Sequence, residues 1–186
     1  MTIIISDYNI RRQILDTGLS NYQIDLGQGP APKFFIFALS DLDRLAGNET
    51  TSITRFTQDD LFTFDFIKDH DSVTGFPLTG IGKAAGPFYQ NFLNQTNRLN
   101  LNFSFGKLTY YLRLHNPFSS GVVTFNNFRD GGFIIVANLD KMKIEDGALQ
   151  VKLQFKTILE KKRVFLWMPV YERKLVIDKN LDVAVE

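Results

Sequence analysis

The stretch from Gly147 to Asp178, GALQVKLQFKTILEKKRVFLWMPVYERKLVID, decides the fold. Its first nine residues alternate between apolar and polar side chains, and this period of two predicts a β-strand with one buried and one solvent-facing side. After a charged link at residues 160–162, the next predicted strand is apolar on both sides as far as Tyr171. A third run of alternating apolar residues begins at Leu175. A two-sided apolar strand needs a second layer to cover it, so the stretch predicts a β-sandwich or barrel.

The same alternation occurs upstream of this stretch. Two runs of period two at residues 99–105 and 108–114, separated by Gly106, predict a β-hairpin. Further strands are predicted at residues 33–39, 61–66, 122–125 and 133–137, whereas residues 69–86 are predicted to form a loop. A single short helix is predicted at residues 87–96, with one helical turn after Ser40. About nine strands with frequent turn signals indicate an antiparallel, all-β sandwich.

The first 32 residues are predicted to form an N-terminal arm, and residues 33–186 a single domain. Ile3, Ile4 and Ile5 suit a short edge strand, and the glycines and prolines between residues 18 and 32 are expected to prevent a continuous strand there. Such an arm pairs either with a neighbouring subunit or with its own domain. The sequence leaves both possibilities open.

Composition and charge exclude several classes of function. The net charge of +1 excludes a strong overall field for attracting nucleic acid, so no specific nucleic acid binding is expected. The first half is acidic and the last third basic, which would suit head-to-tail assembly or simply reflect solvated faces. No apolar run approaches the roughly 18 residues of a membrane span, and the N-terminus lacks the basic region of a signal peptide. We therefore expect no membrane span.

No cluster of residues indicates catalysis or a cofactor. The two histidines, His70 and His115, are far apart in sequence, and the chain has no cysteine for a thiolate site. The carboxylates Asp65, Asp69 and Asp71 do not have the order of a calcium-binding loop. Residues 80–86, GIGKAAG, lack the first glycine and the hydroxyl residue of a phosphate-binding loop. We therefore predict a protein that is not an enzyme, with no cofactor and no metal.

Three segments resemble a known family of capsid proteins. They are GQGPAPKFFIFALSDLDRLAGN (27–48), DLFTFDFIKDHDSVTGFPL (60–78), and the region from Phe128 to Asn180 that contains GALQVKLQF and ends in IDKN. In this order they resemble the C-terminal jelly roll of the double-jelly-roll major capsid proteins of Polinton/Maverick elements and their adintovirus-like relatives. The resemblance covers most of residues 27–182. Family members carry an N-terminal jelly roll before this one, which the present sequence does not contain.

The resemblance implies an antiparallel jelly-roll sandwich whose function is self-assembly into a shell. It implies homo-oligomers, most simply trimers, together with other capsid proteins, and a location in the virion after synthesis in the cytoplasm or nucleus of the host cell. We predict that eight residues contact neighbouring subunits, namely Ile3, Ile4, Ile5, Phe88, Phe92, Lys161, Lys162 and Arg163.

Two alternatives remain at the level of the sequence. The first is a jelly-roll module that recognises a carbohydrate or a receptor, in which exposed Tyr110, Tyr111, Trp167 or Tyr171 would stack on sugars. The second is an enzyme of the cupin type, for which the sequence lacks a cluster of metal-binding histidines.

Overall fold

A computed structural model describes residues 2–45, 56, 60–73, 76–80, 86–91, 128–129, 133–139, 144, 147–177 and 183–185. Its elements, in chain order, are β1 (Thr2–Tyr8), β2 (Arg11–Leu15), β3 (Asn21–Gly29), β4 (Phe34–Asp41), α1 (Leu42–Leu45), β5 (Leu61–Lys68), β6 (Asp71–Ser72), β7 (Leu78–Thr79), β8 (Ile134–Asn138), β9 (Gly147–Phe155), β10 (Arg163–Ile177) and β11 (Val183–Val185). Residues 86–91 are also helical.

The strands form two antiparallel sheets packed face to face. Sheet A has the order β2–β10–β4–β8, with β1 and β11 also paired to β10. Sheet B has the order β3–β9–β5, with β6 and β7 both paired to β5. From β2 to β5, and again from β8 to β10, successive strands alternate between the two sheets, so hydrogen-bonded neighbours are distant in sequence. This arrangement is that of a jelly roll, and the predicted fold class is confirmed.

The predicted periodicities correspond to the positions of the strands in the sheets. β9 buries Leu149, Val151, Leu153 and Phe155 while the residues between them are more accessible, as its alternation predicts. β4 is buried on both sides through Ser40, in agreement with its continuous apolar run. The stretch from Arg163 to Ile177 is one strand rather than the two predicted. Its charged residues at positions 172–174 continue the ladder because they pair with residues 4–6 of β1.

β1 and β2 lie on the same side of β10 and share one register. Tyr8 pairs with Val170 and Arg11 pairs with Trp167, so the intervening Asn9 and Ile10 fall opposite Pro169 and Met168. Proline has no N–H and cannot contribute a donor to a ladder. The interruption between β1 and β2 is therefore explained by Pro169.

The N-terminal residues pair with strands of their own chain. β1 and β2 pair with β10, and β3 pairs with β9. Pairing with its own domain is one of the two arrangements that the sequence left open for the arm at residues 1–32. The domain boundary at residue 32 stays a prediction. The expected interruption at Gly27 does not occur, because β3 passes this residue through a β-bulge in which Asp25 Oδ1 accepts the Gly27 N–H at 2.8 Å.

The hydrophobic core lies between the sheets and is dominated by phenylalanine. The ring of Phe37 lies 5.0 Å from that of Phe64 and 6.0 Å from that of Phe66, both in sheet B, and it stacks on Phe165 at 5.7 Å. At the β8 edge, Phe133 packs on Phe88 and Phe128 with 5.3 Å between ring centroids in each pair. Phe88 is on the helical segment 86–91, and this segment therefore extends the core beyond the sheets.

The remaining local predictions have mixed outcomes. The strand at residues 133–137 is confirmed as β8, and the helical turn after Ser40 is confirmed as α1. The prediction of a continuous loop over residues 69–86 is wrong, because β6 and β7 pair with β5. Their two-residue length is too short for a periodic signal in the sequence. The predicted hairpin at residues 99–114 and the strand at residues 122–125 lie outside the described residues.

The turn between β5 and β6 yields a testable prediction. Asp69 and His70 have φ angles of +49° and +80°, a left-handed conformation at both positions of a two-residue hairpin loop, where Asn-Gly or Asp-Gly is preferred. His70→Gly should raise the free energy of unfolding by about 0.5–1 kcal/mol, since glycine adopts this conformation without steric cost. Urea denaturation measures the change. His70→Ala is the matched control because it keeps a Cβ, and equal effects of the two substitutions would contradict the explanation.

Candidate interaction surfaces

The contacts between the sheets define which side of sheet A faces outward. Phe35 and Phe37 of β4 contact Phe66 and Phe64 of sheet B, so they point inward. Side chains alternate along a strand, and Ile36 and Ala38 therefore lie on the outer face. By register, Leu166 pairs with Ala38 and Met168 with Ile36, which places both residues of β10 on the outer face as well. Four neighbouring outward positions at the centre of the sheet are thus apolar.

This outer face becomes accessible toward the β2 edge. Ile36 and Ala38 are buried, Leu166 and Met168 are half-buried, and Ile10 and Ile14 are 50% and 48% exposed. We call Ile10, Ile14, Leu166 and Met168 the β2–β10 patch. A small apolar notch of about 30 Å³ opens beside the patch and is also lined by Ile36, Ala38 and Phe56. Contiguous exposed apolar surface of this kind is typical of sites that contact another macromolecule.

Two arginines of β2 flank the patch and lie on opposite faces. Arg12 pairs with Leu166 and is exposed, so it lies on the outer face between Ile10 and Ile14. Arg11 pairs with Trp167 on the inner face and donates from Nη1 to the carbonyl of Leu26 in β3 at 3.3 Å. This contact links the edge strand of sheet A to that of sheet B. A charged side chain directed inward at a sheet edge also discourages unwanted strand pairing.

The outer face of sheet B is polar. The strand register aligns Gln23 of β3, Lys152 of β9 and Asp65 of β5 in one row across the sheet. It aligns Asn21, Gln154 and Thr63 in the next row. These six side chains line a shallow depression of about 390 Å³, together with Tyr22, Pro77 and Leu153. The neighbouring Gln23 and Gln150 side chains are joined by a hydrogen bond of 2.9 Å. Among the described side chains, the outer face of sheet A is therefore mainly apolar along β4 and the first half of β10, whereas that of sheet B is covered by amides and charges.

The predicted interface residues Lys161, Lys162 and Arg163 lie at one end of the sandwich, where acidic residues pair with two of them. Lys161 and Lys162 are exposed, and Lys162 Nζ lies 3.1 Å from Asp16 Oδ1. Arg163 forms an ion pair with Asp41, its register partner in β4. Burial of Arg163 lowers the pKa of its guanidinium. Two of the three positive charges at this end are thus paired with acidic residues of the same chain.

Backbone hydrogen bonds hold the two loops at this end together. The N–H of Gly18 donates to the carbonyl of Leu159 at 3.0 Å, and the N–H of Leu159 donates to the carbonyl of Leu19 at 2.9 Å. The Tyr22 hydroxyl donates to the carbonyls of Asp16 and Leu19. Burial and the nearby Asp16 carboxylate raise the pKa of Tyr22. Two aliphatic side chains project from these loops, namely Leu19 and Ile158, which are 55% and 59% exposed.

The other predicted interface residues fall into three groups. Ile3, Ile4 and Ile5 lie in β1, opposite residues 173–175 of β10. Phe88 is fully buried against Phe133, so it belongs to the core of this subunit rather than to its surface. Its apolar character gave no means of telling core from interface, since both favour phenylalanine. Phe92 lies outside the described residues. A role for Ile3, Ile4, Ile5, Lys161, Lys162 and Arg163 in assembly stays a prediction.

The residues considered for ligand binding have other roles where the structure describes them. Among the described residues, no three His, Cys, Asp or Glu side chains come together as a metal site. Asp65 accepts a hydrogen bond from Ser72 Oγ at 2.6 Å, and Asp69 accepts the Ala148 N–H at 3.0 Å. Trp167 is buried and so does not offer its ring for stacking, Tyr171 is half-buried, and Tyr110 and Tyr111 lie outside the described residues. No helix in the described ranges is long and apolar enough to span a membrane.

Sequence reasoning missed Ile10 and Ile14 as surface residues. Ile10 stands between polar residues and Ile14 has Leu15 as its one apolar neighbour, and short apolar stretches at the surface are common. The available signal was the apolar character of β10 and β4 on both sides, which implied that the outer face of their sheet would also be apolar. The pairing of β2 with β10 then adds these two isoleucines to that face.

No family model matches the chain, and no curated protein matches it. Among solved structures, the whole chain is similar to a chain of the Sputnik virophage structure determined by cryo-EM, with 10% sequence identity, a TM-score of 0.50 and coverage of 39% of that chain. It is also similar over its whole length to the mavirus major capsid protein, with 12% identity, a TM-score of 0.48 and coverage of 41%. The present chain spans about two fifths of the length of these two solved chains. The likeness to the Sputnik chain shows a shared fold.

Proposed function

We propose that this protein is a structural shell subunit of a virus or a virus-derived particle, which assembles with copies of itself and with other capsid proteins. The observation that carries the proposal is the β2–β10 patch on the outer face of a jelly roll. The similarity in fold to a chain of the Sputnik virophage supports the same function. The sequence resemblance narrows the proposal to the capsid proteins of Polinton/Maverick elements, to a location in the virion and to a trimer as the assembled unit.

The physical argument rests on the contrast between the two faces of the sandwich. Sheet B presents amide and charged side chains that water solvates well, so its outer face needs no cover. Sheet A presents Ile10, Ile14, Leu166 and Met168, whose burial against a neighbour would remove apolar surface from water at about 25 cal/mol per Å². An exposed arginine at the centre of the patch, Arg12, is of a residue type enriched at protein interfaces. A rigid subunit with one such face is suited to lateral packing in a shell.

The test is the oligomeric state in solution. We expect the purified protein to form a discrete oligomer or particles in size-exclusion chromatography with light scattering. Ile10→Glu combined with Ile14→Glu should weaken association by roughly thirtyfold or more, about 2 kcal/mol, because the contact would lose two apolar side chains and would have to desolvate two carboxylates. Circular dichroism and thermal melting show whether the variant retains its fold.

The matched control places the same substitutions outside the patch. Leu19→Glu combined with Ile158→Glu changes two aliphatic residues of similar exposure at the end of the sandwich. This control should assemble as the wild type does. The proposal would be overturned if the wild-type protein stayed monomeric at high concentration and also after candidate capsid proteins were added. Equal loss of association in both double variants would show that the patch is not the contact.

The alternative function, recognition of a carbohydrate or receptor, has less support. Its predicted stacking residue Trp167 is buried, and the depression on sheet B is lined mainly by amide, hydroxyl and charged side chains. Sugar sites that rely on stacking need an exposed aromatic face. We therefore retain assembly as the proposed function.

A further inference from the structure

We propose that β1 is an exchangeable arm, which in the assembled protein pairs with β10 of a neighbouring copy instead of with β10 of its own chain. The surface that receives it is the second half of β10, from Val170 to Val176. The partner is a second copy of this chain. The inference rests on the proposed function, because exchange between copies requires that copies associate.

The first observation is the narrow set of contacts that β1 makes. Its pairing extends from Thr2 to Tyr8 along Val170–Val176, and all its substantial contacts with other described elements are with β10. By contrast, the pairing of β4 with β10 ends at Val170. The part of β10 that holds β1 therefore continues past the end of the β4 ladder. Moving β1 away would break one ladder and leave the Phe37 core between the sheets in place.

The second observation is a natural hinge between β1 and β2. Asn9 and Ile10 are exposed and belong to neither strand, and they lie opposite Pro169 and Met168 in the common register. Because Pro169 cannot donate a hydrogen bond, the chain is released from the ladder at this point. β2 is held in place independently, through its own pairing with β10 and through the contact between Arg11 and the carbonyl of Leu26. The arm can thus change direction at residues 9–10 while β2 keeps its position.

The third step concerns the energetic balance of the exchange. A strand that moves to the same position on an identical chain recovers the same backbone ladder, so the exchange costs little in hydrogen bonds. What decides its direction is the effective concentration of the neighbour's β10 relative to that of the chain's own β10. An assembled shell raises the first of these because it holds neighbouring copies close together. The register of the exchanged strand is therefore expected to equal that seen within one chain.

The test uses the absence of cysteine from the sequence. Ser6 and Glu172 are register partners in β1 and β10. Two single variants, Ser6→Cys and Glu172→Cys, are mixed, assembled and oxidised, and disulfide-linked heterodimers are measured on a non-reducing gel. The double variant in one chain shows that the pair can form a disulfide. Light scattering on the same samples reports assembly.

The control pair is Gln23→Cys and Lys152→Cys, which are register partners in β3 and β9 and belong to strands that are not expected to exchange. We expect the Ser6/Glu172 mixture to form heterodimers at least roughly tenfold faster than the control mixture. If the protein assembles but the disulfide forms only within the chain of the double variant, the exchange of β1 is overturned and the proposed function is left intact. Equal rates from the two mixtures would indicate random collision and also overturn it. A protein that remains monomeric in light scattering would overturn both proposals.

Discussion

Replacing Phe37 with alanine should lower the free energy of unfolding by about 3–5 kcal/mol. Phe37 is almost completely buried, and its ring contacts Phe64 and Phe66 of the opposite sheet as well as Phe35 and Phe165 of its own. The substitution removes the side chain that joins the two sheets near their centre. It leaves a cavity that these rings cannot fill, because they are fixed in place by the strands that carry them.

Urea denaturation followed by circular dichroism measures this effect, and the slope of the transition should stay unchanged if the variant folds normally. Ile158→Ala is the control, since its side chain is 59% exposed on a loop and its truncation should change stability by less than about 0.5 kcal/mol. A loss below about 1 kcal/mol for Phe37→Ala, within the range of ordinary surface substitutions, would mean that Phe37 is not at the centre of the core.

The second large effect is expected at the ion pair between Arg163 and Asp41. These residues are register partners at the start of β10 and the end of β4, and their side chains are only 18% and 25% exposed. Arg163→Ala should lower the free energy of unfolding by about 2–3 kcal/mol, less than for a fully buried pair, because Asp41 would keep its charge with little access to water. Arg163→Lys should recover only part of this loss, since lysine lacks the planar guanidinium group.

The neighbouring pair provides an internal control. Lys162 and Asp16 are both exposed, and Lys162→Ala should therefore change stability by less than about 0.5 kcal/mol. The two variants remove adjacent positive charges, so a general effect of net charge would appear equally in both. Equal losses of stability would indicate that such an effect, rather than the partly buried pair, explains the result for Arg163→Ala.

Strand positions could be predicted wherever a strand is long enough to show a pattern of apolar residues. β9 alternates between buried and accessible residues because its outer face carries the polar rows of sheet B, and its sequence shows the same alternation. β4 was recognised as a central strand because both of its sides are apolar. The very short strands β6 and β7 gave no periodic signal, and their pairing with β5 was missed.

The candidate surface was less accessible to sequence reasoning than the fold. Phe88 was predicted to contact neighbouring subunits and is instead buried against Phe133. Ile10 and Ile14 form the exposed part of the β2–β10 patch and are not among the predicted contact residues. Hydrophobicity indicates that a residue avoids water. It does not indicate whether its own chain or a neighbour provides the cover.

The sequence by itself determined that this protein is an antiparallel sandwich with a phenylalanine-rich interior, because the alternation of side chains along each strand is a local property. Only the tertiary structure decided which side of β10 faces inward, since a strand that is apolar on both sides has no polar side to mark the surface. It also decided that β1 and β2 pair with β10 in one common register and that the break between them lies opposite Pro169. Strand partners in a jelly roll lie far apart in sequence, and their register is set by the combined burial of both sheets rather than by any single segment.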